Sequence, residues 1–301
     1  MLKFEKTDVR RNFFPGDIWL SMKLYCSVKV SDPVLINLHS AAQSLIRKGI
    51  IKEWFFIRYA DPYHHLRLRL HLSQTDLFGV TLQSVRSAIE HWEAEGYINK
   101  IEVDTYVREL ERYTPGLMPE FETIFCRESE LVAASLSMHS DNPDMWRWQC
   151  CLKCIDGVLE HFLPELEDRM EILRFLVAAL QSDFDESKEF KKELNNRYRQ
   201  YRYDIQDLFS GKNDNFGFID THLKNARSLY RRIVDQTIDR KPVLIDLCCS
   251  SLHMLCNRFF RNNQKCYELV LYELLFRYYT TSLKVKNQPP IEYEHQGDTS
   301  K

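Results

Sequence analysis

His65-Leu66-Arg67-Leu68-Arg69-Leu70-His71-Leu72 alternates strictly between leucine and a basic or titratable residue. A β-strand turns successive side chains to opposite faces, so the four leucines share one face and His65, Arg67, Arg69 and His71 the other. The leucine face needs a core. The opposite face suits an anion, because a guanidinium grips a carboxylate through two parallel N–H donors and stays charged at any physiological pH. Taken alone, the strand reads more plainly as solvent-facing, with arginines that keep a sheet soluble.

Working outward, Trp54 to Tyr59 is a nearly all-apolar strand that stops at Asp61-Pro62. Leu20, Met22 and Leu24 alternate with Trp19, Ser21, Lys23 and Tyr25 as a half-buried strand would. Between these two, residues 33–48 fit a helix that ends at Gly49. After the leucine-arginine strand, Leu82, Val85, Ile89 and Trp92 recur at helical spacing over 79–95, Gly96 closes that helix, and a strand follows from about Ile98 to Tyr106. Strand, helix, strand, strand, helix, strand is the split β-α-β order, so the N-terminal part is expected to be α+β with a largely antiparallel sheet.

From about Leu117 the period is helical almost throughout, with runs near 142–162, 165–180, 185–209, 216–236, 241–261 and 264–282. The expected architecture is one unit over 1–286: an α/β sheet part (1–116) with a helical part (117–286) packed on it, then a flexible tail over 287–301. The charges over 183–204, among them Lys188, Lys191, Lys192, Arg197, Arg199 and Arg202, read as a solvated helix face.

Among the 301 residues, 44% are apolar and 28% charged, and 41 Lys+Arg against 43 Asp+Glu give a net charge of −2. That balance argues against a disordered chain or a general nucleic-acid coat. No stretch approaches the ~18 uninterrupted apolar residues of a membrane span, and the first residues do not read as a secretory signal. A cytoplasmic protein is expected. The nine irregularly spaced cysteines point to a reducing compartment and not to a disulfide framework.

Metal and cofactor motifs are weak or missing. Cys151-Leu-Lys-Cys154 has no second C-x-x-C or histidine pair, so packed thiols explain it better than zinc. His64-His65 and His71 lack the surroundings of a metal site, and there is no phosphate loop, G-x-S-x-G or dinucleotide fingerprint. No metal or cofactor is expected. Arg108-Glu-Leu-Glu-Arg112-Tyr113 is explained by ion pairs along a helix. His253 lies on a helical stripe with Asn257 one turn on, close enough to fix its tautomer.

One resemblance ties these scattered places together. Trp54-Phe-Phe-Ile-Arg-Tyr-Ala-Asp-Pro-Tyr-His-His-Leu-Arg-Leu-Arg69, Glu109-Leu-Glu-Arg-Tyr113, Glu120-Phe-Glu-Thr-Ile-Phe125 with Glu128-Ser129, Ser251-Leu-His-Met-Leu-Cys-Asn-Arg258 and Glu268-Leu-Val-Leu-Tyr272 resemble, in order, the C-terminal domain of class I lantibiotic dehydratases. The likeness runs from about Trp19 to Tyr279. It implies β-elimination of glutamate from glutamylated Ser or Thr of a ribosomally made precursor peptide, leaving dehydroalanine or dehydrobutyrine. It also implies that Arg67, Arg69, Arg112 and His253 form the catalytic and glutamate-binding set. Arg58, His65, Asn257 and Arg258 fall in the same blocks and are carried as substrate-binding candidates.

The residue types suit that chemistry. Elimination needs a base for the Cα proton, and an imidazole is the usual choice near neutrality. It also needs cations for the developing charge and a leaving group better than hydroxide, which a carboxylate is. Two departures from the family pattern stand out: Tyr113-Thr114-Pro115-Gly116 where a double glycine usually follows the tyrosine, and Glu128-Ser129 for the usual Asp-Ser. The length suggests a split subunit served by a separate glutamyl-tRNA-dependent glutamylating partner. No direct tRNA requirement is expected, and a homodimer is conceivable. The alternatives are a formal [4+2] cycloaddition of two dehydroalanines to a thiopeptide pyridine, and a non-catalytic subunit that binds the precursor peptide.

Overall fold

A computed structural model describes residues 9–138, 140–182, 188–212 and 214–286. The expected tail over 287–301 lies outside them. The elements in chain order are β1 (Asn12–Phe13), β2 (Trp19–Cys26), α1 (Ser31–Arg47), β3 (Ile51–Ala60), β4 (His64–Leu72), α2 (Phe78–Ala94), β5 (Ile98–Asp104) and β6 (Tyr106–Val107). The helical part follows as α3 (Leu110–Tyr113), α4 (Met118–Ser137), α5 (Pro143–Phe162), α6 (Leu166–Gln181), α7 (Lys188–Phe209), α8 (Gly217–Thr237), α9 (Lys241–Phe259) and α10 (Gln264–Lys286). The expected α+β class holds: a small antiparallel sheet, then a helical C-terminal half.

The main sheet has the order β3-β4-β2-β5 with every pair antiparallel. Register places Leu68 between Met22 and Phe56, and Arg69 between Ser21 and Phe55. Leu66, Leu68 and Leu70 are buried with Leu20, Met22, Leu24, Trp54 and Phe56 under α1, whose His39 ring lies 5.8 Å from that of Trp54. Burial of each such leucine contributes about 1.5–3 kcal/mol. This face needs no polar partner to be stable, which is why strict leucine alternation reads so clearly.

The arginine face is not a solvent face. The ring of Phe55 meets Phe125 of α4 at 5.5 Å and Tyr106 of β6 at 6.0 Å, so the helical half and the short strand pair close over it. Trp19 and Ser21 on the same face are buried too, so β2 is covered on both sides and not half-buried. The single strand expected from Ile98 to Tyr106 is broken after Asp104. Tyr106 leaves the main sheet to pair with Phe13 of β1, while its hydroxyl donates to Glu122. Arg108 binds the same Glu122 carboxylate at 2.6 and 2.7 Å, a cross-link to α4 where ion pairs along one helix were expected.

Edge strand β3 would expose unpaired backbone groups, and the helical half covers them with side chains. Phe56 N donates to Ser129 Oγ at 3.2 Å, Arg58 N donates to Asn257 Oδ1 at 2.9 Å, and Asn257 Nδ2 returns a bond to Arg58 O at 2.9 Å. A buried charge cluster adds a second tie. Asp32 of α1 takes Arg58 Nη2 at 2.6 Å and Arg147 Nη2 at 2.5 Å, with Arg261 Nε at 3.5 Å. Burial pushes the Asp32 carboxyl up, but the three arginines outweigh it and hold it below its ordinary value. Hydrophobic packing runs unbroken from the sheet into the helices.

On α7, Lys192, Arg197, Arg199 and Arg202 are exposed as expected, while Leu194, Ile205 and Leu208 are buried. The side chains of Lys188 and Lys191 lie outside the described residues. Cys150, Cys151 and Cys154 are packed thiols inside α5, with Cys151 Sγ 3.9 Å from Cys256 Sγ. Among the described residues no single helix is long and apolar enough to cross a membrane, and no three His, Cys, Asp or Glu residues gather as metal ligands.

Candidate active site

The strand face that suits an anion does not act as one unit, because His71, the His65–Arg67 pair and Arg69 meet different surroundings. His71 stacks on Trp19 at 4.6 Å, and burial drives its pKa down to about 4. His65 is buried between Tyr25 and Tyr59, with Nδ1 2.9 Å from Tyr63 O. Arg67 lies over Tyr59, 3.6 Å from the ring centre, and its Nε donates to His65 Nε2 at 3.2 Å. Arg69 lies against a ring of the covering strand pair. Its guanidinium sits 4.6 Å from the Tyr106 ring and 5.2 Å from that of Phe55, and its buried Nε has no hydrogen-bond partner. Burial lowers its pKa, as expected for a cation taken out of water.

Arg69 lines a cleft of about 30 Å³ with Glu109, Tyr113, Met254 and Arg258. Arg258 is fully buried; its Nη1 donates to Glu128 Oε2 at 2.8 Å and to Met254 O at 3.0 Å, while its Nε and Nη2 have no partner. The buried Nε of Arg69 and the buried Nε and Nη2 of Arg258, both residues lining one small cleft, are costly to leave unmet. Behind Arg258, burial pushes the Glu128 carboxyl up to about 7 against the pull of that arginine.

A second opening, a groove of about 360 Å³, holds Arg112, Ser250, His253, Lys265, Glu268 and Tyr272. Arg112 Nε donates to Ser250 Oγ at 3.2 Å and Nη1 approaches Glu109 Oε2 at 3.4 Å, so the α3 turn borders both openings. His253 Nδ1 lies 3.0 Å from Oε1 of Glu268, which is buried while the imidazole is 42% exposed. Gln264 Nε2 has two hydrogens, and its short contacts go to His253 O at 2.8 Å and Glu268 Oε1 at 2.6 Å. Nδ1–H of the imidazole is then donated to Glu268, which leaves Nε2 as the basic nitrogen.

Asn257 does not orient His253, contrary to expectation. Its amide is spent on the Arg58 backbone and on Gln264 Oε1 at 3.0 Å. Arg58 likewise lines neither opening: its three guanidinium nitrogens serve Arg258 O, Ser31 Oγ and Asp32. The substrate-binding candidates therefore divide, with Arg258 at the cleft and Arg58, His65 and Asn257 in the supporting framework. Of the catalytic candidates, Arg112 and His253 share the groove, Arg69 faces the cleft, and Arg67 lines neither.

Glu268 and Gln264 were not singled out as site residues. Glu268 heads the last block of the resemblance, but fifteen residues and a helix reversal part it from His253, so no local spacing pairs them. The turn next to Arg112 also carries a signal: Thr114 has φ 62, a conformation that favours glycine, where the family pattern has one. A larger surface groove of about 760 Å³ between α5 and α8 contains none of these residues.

Comparison with known proteins gives the family and the fold. Residues 19–279 match the family described as lantibiotic biosynthesis dehydratase C-term. The subtilin biosynthesis protein SpaB of Bacillus subtilis is 24% identical over 257 residues, 83% of this chain and 24% of SpaB. Among solved structures, the tRNA-dependent lantibiotic dehydratase MibB from Microbispora sp. 107891 superposes with TM-score 0.69 at 18% identity, over 92% of this chain and 29% of MibB. The pyridine synthase TbtD from thiomuracin biosynthesis superposes with TM-score 0.62 at 11% identity, over 89% of this chain and all of TbtD. The chain spans about a quarter of the length of the curated relatives it matches.

Proposed function

The chain belongs to the lantibiotic dehydratase C-terminal family, and we propose that within it the protein catalyses β-elimination of glutamate from glutamylated Ser or Thr of a precursor peptide. The observation that carries this reading is the His253–Glu268 pair, an exposed imidazole backed by a buried carboxylate in a groove shared with Arg112. A base so oriented presents Nε2 to a substrate Cα proton, and Glu268 stabilises the imidazolium that forms. As the proton leaves Cα, the Cβ–O bond breaks and glutamate departs as its carboxylate.

Arg112 is the cation beside the base and suits the charge that develops on the peptide carbonyl, a role worth about 3–4 kcal/mol for one well-placed donor. The spare donors of Arg69 and Arg258 suit the free carboxylate of the glutamyl group. The ester itself comes from a separate glutamyl-tRNA-dependent glutamylating subunit in this reading. Arg67 and His65 support Arg69 through the strand they share.

The test is incubation of the protein with a precursor peptide carrying a glutamylated serine, followed by mass spectrometry, with His253→Ala and Arg69→Ala alongside. Loss of glutamate with formation of dehydroalanine, absent in both variants, is the expected result. An unchanged ester overturns the reading. A peptide that already carries two dehydroalanines is the next substrate, and pyridine formation from it would replace elimination with cycloaddition.

A further inference from the structure

The groove has two unlike walls. One is polar, built from Arg112, Ser250, His253 and Glu268; the other is the flank of α6, with Leu176, Ala179 and Leu180. Ile172, Leu173 and Val177 on the same side of α6 are buried, and Leu176 and Leu180 pack against that core while also lining the groove. Leu176 and Leu180 are half-buried and one turn apart, as are Phe175 and Ala179, which are exposed. Phe175 is 60% exposed.

We propose that this α6 stripe is the specificity wall of the site and receives an apolar side chain of the substrate peptide from the residue next to the processed Ser or Thr. The argument is geometric. An extended peptide turns neighbouring side chains to opposite sides, so a residue that presents its Cα and Cβ to His253 presents its neighbour to α6. The volume of about 360 Å³ is at the small end of ligand sites, enough for a short extended segment. Ala179 leaves the wall open between Leu176 and Leu180. The inference rests on the elimination reading only in placing the processed residue at His253.

The experiment is binding of fluorescein-labelled peptides to the full chain, measured by anisotropy. The peptides carry glutamate on 2,3-diaminopropionate in place of serine, an amide that does not eliminate, and differ only in having Leu or Lys on both sides of that residue. Wild type should bind the Leu-flanked peptide about tenfold more tightly, the worth of partly burying one leucine. Ala179→Glu, at an exposed helix position, should reverse the order in favour of Lys.

Equal affinity for the two peptides, an equal loss for both in Ala179→Glu, or no binding of either overturns the proposal. So does a wild-type dimer that Ala179→Glu dissociates with the peptide preference unchanged, since the stripe would then join two copies of the chain. Failure of the elimination reading looks different: affinity would not change when the glutamyl group is removed, while the Leu preference could persist.

Discussion

At the scale of single residues, the site depends on how hydrogen atoms are shared among His253, Glu268 and Gln264. Glu268 Oε1 accepts from His253 Nδ1, and Gln264 Nε2 donates to the same oxygen. Glu268→Gln removes the charge and can present its amide to Nδ1, which favours the wrong tautomer. That variant should lose about 10–100-fold in kcat with little change in KM. A drop in KM alone, or no drop in rate, would deny Glu268 its positioning role. Sequence reading found His253 through its motif but paired it with Asn257, its neighbour one turn on. The imidazole instead takes its partner from the next helix, because Asn257 is needed at the open edge of β3.

At the scale of elements, the edge of β3 and the α3 turn hold the two halves in register. Asn257→Ala leaves Arg58 N and O without their side-chain partner at a covered edge, which should cost about 1–3 kcal/mol in urea unfolding. An unchanged midpoint would mean that water replaces the amide freely. Thr114 carries strain of another kind, since a β-branched residue at φ 62 is strongly disfavoured. Thr114→Gly should therefore stabilise the protein by about 1 kcal/mol net of the glycine entropy cost, seen as a rise in Tm. A fall in Tm would show that the turn gains more from threonine than its backbone loses. The strand order, the two N-terminal helices and the helical runs were all legible, because each buries a periodic apolar face. The break between β5 and β6 was not, because Tyr106 leaves the sheet for distant partners: Phe13, Arg69 and Glu122.

At the scale of the whole molecule, folding leaves histidines neutral inside the protein. Burial lowers His71 and His222 to about 4, and lowers His39, His64 and His161 as well. Between about pH 6.5 and 4 the unfolded chain then binds more protons than the folded one, so acidification through that window destabilises the fold. Glu128, raised to about 7, acts in the opposite sense, as do Glu53, Glu130 and Asp156, whose carboxyls burial also pushes up, but the five histidines outnumber these four groups. Tm should fall from pH 7 to pH 5, and His222→Phe should flatten that slope; a Tm that rises on acidification would contradict the assignment. The sequence by itself determined the fold class, the leucine face and the identity of most cationic site residues, because periodicity and residue chemistry are local properties. Only the tertiary structure decided which of those cations meet. It turned Arg69 and Arg258 to one cleft and Arg112 and His253 to one groove, and it kept Arg58 and Asn257 for the framework. The physical reason is that a buried donor or charge must find its partner wherever the chain returns, and that distance is not written in any local spacing.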